Sequence, residues 1–155
     1  MAERETIALN RRARHDYDII ETYEAGLVLT GTEIKSVRAR RVDFKDAYAA
    51  VEGEEVWLHS LHISPYEPGS RENVFSRRTR KLLLHRREIN RLMGRTVEKG
   101  LTIIPLKLYL ERGYAKVELG LARGRREYDK RVAIAARETR LEKDRAFAER
   151  QRRGT

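Results

Sequence analysis

The run NRRARHDY, Asn10 to Tyr17, places three arginines, a histidine, an acid, a phenol and an amide in one short stretch. Two chemistries are open to such a set. His15 beside Asp16 is the smallest unit for acid–base work, while Arg11, Arg12 and Arg14 with the Asn10 amide are donors that clamp phosphates and meet bases. The catalytic reading is the weaker one. Adjacent residues in an extended segment point apart, and no serine or cysteine nucleophile is marked by a local motif. On local sequence alone, an idle solvated arm explains the run as well as RNA contact does.

Other chemistry-bearing residues are few. His59 and His62 are a close pair, but three positions apart on a strand they face opposite sides and do not converge on a metal ion. Arg123, Arg125 and Arg126 lie around Gly124, where the Gly, Lys and Ser/Thr spacing of a nucleotide-phosphate loop is missing; a hairpin end bearing arginines accounts for them. In RRTRKLLLHRREINRLMG, a helical wheel gathers Leu82, Ile89, Leu92 and Met93 on a core face. It sets Leu84 among Arg80, Arg87 and Arg91, with Leu83 at the margin. An apolar side chain among cations suits a base or sugar held by its phosphates. Arg86 falls on the apolar face and fits there only with its stem buried and its head in water.

The 155 residues fit one core, and 34 Lys and Arg against 24 Asp and Glu give a net charge of +10 and a pI near 10.1. That balance favours a polyanion. No stretch is long and apolar enough to span a bilayer, so nucleic acid is preferred to membrane. The N-terminus has no hydrophobic signal core, and the chain has no cysteine, which fits the reducing cytoplasm and removes thiol chemistry.

The elements that must position these groups are short. YDIIET and AGLVLTG read as two adjacent strands separated by Glu24-Ala25-Gly26. TEIKSVRARR reads as a helix with Thr32 as candidate N-cap. DAYAAVEGEEVWLHSLHI gives two strands turning at Gly53, with Trp57, Leu58 and Leu61 as buried bulk. SPYEPGSRENVFSRR reads as a loop, and a helix is expected from Thr79 to Met93, stopped by Gly94. LTIIPLKLYLERGYAKVELGLARG is a long hairpin turning at Arg112-Gly113, with Pro105 marking an edge or bulge. Together these predict an antiparallel barrel with helices outside it. From Asp129 the chain turns to Ala, Glu and Arg with a thin stripe of Ile134, Leu141 and Ala148, too little to build a core.

The blocks IALNRRARHDY, YEAGLVLTGTEIKSVR, RKLLLHRREI, LTIIPLKLY and YAKVELGLARGRREYDKR, in that order, resemble the SmpB family of SsrA-binding proteins, and they cover nearly the whole chain through Arg131. The resemblance implies a mainly β fold: a closed antiparallel OB-like barrel with flanking helices over residues 1–128 and a basic tail over 129–155, flexible when free and helical on the ribosome. It implies no catalysis and no cofactor. The implied role is that of an adaptor, a monomer bound one-to-one to the tRNA-like domain of tmRNA, which it delivers to stalled ribosomes while the tail enters the decoding centre and empty mRNA channel. Asn10, Glu24 and Leu83 match the family's RNA-contacting positions, where the wheel favours Leu84. Tyr128, Asp129, Lys130, Arg131, Ile134 and Arg137 match its ribosome-contacting tail, whereas Ala135 and Ala136 depart from it by losing a lysine. The rival expectation is a constitutive ribosome-associated OB-fold protein, which the same charge and barrel would serve.

Overall fold

The computed structural model describes residues 4–66, 75–98 and 100–124. In chain order these form β1 (Arg4–Leu9), α1 (Ala13–Asp16), β2 (Tyr17–Leu27), α2 (Gly31–Arg38), β3 (Val42–Asp43), β4 (Tyr48–Glu52), β5 (Glu55–His59), β6 (His62–Ile63), β7 (Arg80–Leu83), α3 (Arg86–Arg95), β8 (Leu101–Glu111) and β9 (Tyr114–Gly124). All strand pairs are antiparallel. β8, β4, β5, β7, β2 and β9 follow one another, and β9 pairs back onto β8, so the strands form a ring. β1 lies outside it, pairing with the second half of β8 while β4 meets the first half at Ile103.

Period-two alternation builds this ring. On β9 every second residue from Ala115 to Leu121 is buried, and on β5 Val56 and Leu58 point inward, so these strands turn one face to the core, whereas β8 is buried on both faces from Ile103 to Leu106 and from Leu108 to Leu110. Val56, Leu58, Leu61, Ile103, Leu108, Val117, Leu119 and Leu121 are fully buried there. A smaller cluster of Ala13, Ile104, Leu106 and Ala122 seals the ring's outer side beneath α1. Both long hairpins turn on two consecutive left-handed residues, Gly53 and Glu54 at φ 58° and 67°, and Arg112 and Gly113 at φ 54° and 82°. This is the turn whose twist matches that of the strands it joins.

One ionic cluster crosses the core. Arg80 is completely buried; its Nε donates to Glu33 Oε2 at 2.6 Å, and its other nitrogens donate to the carbonyls of Leu61 (2.6 Å) and Ser76 (2.9 Å). Glu33 also accepts from Arg78 at 2.5 Å and from the Thr30 amide at 3.0 Å, so one carboxylate caps α2 and ties it to β7. Burial pushes the Glu33 carboxyl up, but the bonds from Arg78, Thr30 and Arg80 outweigh it and leave the group below its usual range.

Several expectations are corrected. Tyr17 to Gly31 holds one long strand rather than two, because Gly26 sits in β2 without a turn and Ala25 and Leu27 keep the inward alternation. The N-cap of α2 is Thr30, not Thr32: its hydroxyl accepts from the Glu33 amide while Glu33 reaches back, a reciprocal capping box. The helix expected from Thr79 to Met93 is a strand, β7, followed by α3, and Gly94 lies inside α3 rather than stopping it. Arg80 therefore faces the core and not an arginine surface. Trp57 is half-buried, since it alternates with Val56 and Leu58. Pro105 does mark a bulge, where the β8–β9 register shifts, but β8 is paired along both sides.

Candidate nucleic-acid interface

The outward face of β7, β2 and β9 carries one row of predicted contacts. Gly26 is paired with Leu83 on β7 and with Lys116 on β9, so the three share a face, and Glu24 lies two residues earlier on that face. Leu83 is 53% exposed, whereas Leu84 is partly buried against the core, which places Leu83 and not Leu84 on the surface. The helical wheel favoured Leu84 because it treated a strand as a helix.

Glu24 is held by cations. Its carboxylate accepts from Lys116 Nζ at 2.8 Å and Arg4 Nη2 at 3.1 Å, and Lys116 and Arg4 also reach Glu111 at 3.0 and 3.3 Å. Hydrogen bonds from Lys116 and then the Tyr109 hydroxyl hold the Glu24 carboxyl below its usual range, and burial followed by its bond to Glu24 raises the Tyr109 phenol. An acid at a polyanion surface is thus electrostatically reasonable here: it orients two cations and leaves the local balance near neutral. Arg4 also lies 5.2 Å from the centre of the Tyr109 ring, and Lys107 5.4 Å.

NRRARHDY is one turn of helix set against the ring rather than an extended arm. Asn10 is pinned twice: its backbone amide donates to the Leu106 carbonyl and its side-chain Nδ2 donates to the Pro105 carbonyl, each at 2.8 Å. Arg11, Arg12 and Arg14 are exposed around the turn. His15 Nδ1 and Asp16 Oδ1 are 3.0 Å apart, so these two adjacent side chains meet rather than point apart as in an extended segment. Arg123, exposed near the end of β9, is paired with Asp18 beside this turn. The basic turn and the Glu24–Leu83 row therefore occupy two ends of the β2–β9 ladder, roughly 20 Å apart at the usual rise per strand residue.

Arg125, Arg126, Tyr128, Asp129, Lys130, Arg131, Ile134 and Arg137 lie outside the described residues. Sequence reasoning missed Arg4, Tyr109 and Lys116. The alternation of β9 would have placed Lys116 outward, but only the register shows that it meets Glu24. It also missed the partner of Arg91: the guanidinium pairs with Glu21, which further accepts from Arg95 at 3.1 Å and from the Tyr23 hydroxyl at 2.5 Å. Arg86 donates to the Glu54 carbonyl at 2.9 Å, while Arg87 is exposed.

The chain is similar to known proteins over nearly its whole length. The family model described as SmpB protein matches residues 7–149. SsrA-binding proteins from Geobacillus thermodenitrificans and Geobacillus kaustophilus are each 61% identical over 150 residues, covering 97% of both chains. That of Listeria welshimeri is 56% identical over 145 residues, 94% of each chain. Among solved structures, a chain from "tmRNA-SmpB: a journey to the center of the bacterial ribosome" is 58% identical, with a TM-score of 0.66 over 79% of this chain and 91% of that one. Matched by that family model over most of its length and 61% identical to relatives that it covers almost end to end, the chain belongs to the SmpB family.

Proposed function

We propose that this protein is a tmRNA-binding adaptor for trans-translation in the cytoplasm. It binds the tRNA-like domain of tmRNA and carries the RNA to stalled ribosomes, where the tail from Asp129 onward probes the empty mRNA channel. It acts as a monomer, one per RNA, without cofactor or catalytic step. The strand ring is the closed OB-like barrel that presents the RNA surface. The observation that carries this reading is the register row in which exposed Leu83 lies between Gly26 and solvent, next to the Glu24–Lys116–Arg4 group: an apolar contact flanked by oriented cations. Arg11, Arg12, Arg14 and Arg123 supply phosphate contacts at the other end, with Asn10 fixing the turn that carries them. Arg125 and Arg126 continue that charge, and Tyr128, Asp129, Lys130, Arg131, Ile134 and Arg137 serve the ribosome.

The division of labour is tested by a chain ending at Tyr128. It is expected to bind tmRNA like the full chain but to fail in tagging stalled peptides; loss of RNA binding on truncation would overturn the division. Competition of tmRNA against tRNA and duplex DNA across a salt series tests the specificity, and equal affinity for all three would reduce the surface to generic polyanion binding.

A further inference from the structure

Beyond Lys116 the same outward face of β9 continues to Tyr114, which is 73% exposed. Tyr114, Lys116, Glu111 and Arg112 together line a notch of about 350 Å³ at the end of the β8–β9 hairpin. The notch is open to solvent and lies at a turn whose two central residues, Arg112 and Gly113, are both left-handed. Its one acid, Glu111, is neutralised by Lys116 at 3.0 Å and Arg4 at 3.3 Å. Among the described residues, no hydrogen bond or ion pair engages the Arg112 side chain or the Tyr114 hydroxyl. Tyr114 therefore presents an open aromatic face on the same outward row of β9 as Lys116.

We propose that this notch takes one unstacked base of a folded RNA, with the base lying on the Tyr114 ring and Arg112 reaching the adjoining phosphate. This rests on the reading of the Glu24–Leu83 row as an RNA surface and extends that surface by one nucleotide beyond Lys116. The chemistry selects for RNA loops. A base inside a duplex has both faces covered by its neighbours and cannot lie on the ring, whereas a loop base exposes a face that stacks on any aromatic. The ring does not read base identity by itself, so the notch senses loop architecture rather than sequence.

The test uses the full chain with two probes, the tRNA-like domain of tmRNA and an RNA duplex of similar length. Tyr114→Ala is expected to weaken binding of the looped RNA about tenfold, the usual size of a lost base–aromatic stack, and to leave duplex binding within about twofold. Tyr114→Phe keeps the ring and should bind like the parent. Arg112→Ala should lower the slope of log affinity against log salt by about one phosphate, which Tyr114→Ala should not. Matching thermal melts for the variants confirm folding. Unchanged looped-RNA affinity in Tyr114→Ala, or equal loss in Tyr114→Phe, overturns the notch. Leu83→Ala separates the two readings: if it weakens binding while Tyr114→Ala does not, the notch alone fails, and if neither does, the surface itself is misassigned.

Discussion

The side chain of Leu83 lies across Gly26: a β-carbon added at Gly26 would sit 3.4 Å from Leu83 Cβ and 3.6 Å from Cδ1. Gly26 thus sets the floor on which the exposed leucine rests. A single methyl group is at ordinary contact distance, but a branched side chain would force Leu83 off that position. Gly26→Ala is expected to bind tmRNA within about twofold of the parent, and Gly26→Val to bind more weakly by about 1 kcal/mol, the cost of mild overpacking. Affinity measured alongside a thermal melt separates displaced contact from lost folding.

Asn10 has a measurable structural role whatever its part in RNA contact. Asn10→Ala removes the side-chain bond to the Pro105 carbonyl and is expected to cost about 1 kcal/mol of stability in denaturant unfolding. RNA affinity should fall with an unchanged salt slope, since no charge is lost.

The buried Arg80–Glu33 pair should be asymmetric. Arg80→Met leaves Glu33 with Arg78 and Thr30, while Glu33→Leu strands a fully buried guanidinium beside Arg78. Removing Glu33 is therefore expected to cost more, with losses of about 3 to 5 kcal/mol when one partner of a buried pair is removed. The double variant should recover part of that loss. A double-mutant cycle by urea unfolding measures the coupling.

Acid should release the tie between α3 and β2. Glu21 is held down from 4.5 to about 2, chiefly by its bond from Arg91 and then by that from Tyr23. Between those values the unfolded chain binds the proton and the folded one does not, so this stabilisation is complete above about pH 4.5 and is lost as pH falls towards about 2. Glu21→Gln should be less stable than the parent at pH 7, with the gap in melting temperature closing below about pH 4.5. A gap that persists to pH 2.5 would show that the carboxylate is not the stabilising group.

Local rules made the hairpins legible. Gly53 and Gly113 mark turns that need left-handed backbone, and the Pro105 bulge follows from a residue with no amide to donate. The Thr79–Met93 segment misled because Leu82, Ile89 and Leu92 suit a helical face, while the strand pairing of Arg80–Leu83 with β5 and β2 is a long-range fact. Arg80 was the decisive residue. An arginine reads as surface until a carboxylate brought from α2, far back in sequence, makes its complete burial tolerable.

By itself the sequence determined the charge, the strand-rich character and, through its ordered blocks, the family. Those depend on composition, on period and on residues close in the chain. Tertiary structure alone decided which outward residues meet: that Leu83 and not Leu84 is exposed, that Lys116 and Arg4 converge on Glu24, and that Tyr114 borders the same face. Each depends on strand register, and a slip of a single residue turns every side chain to the opposite face.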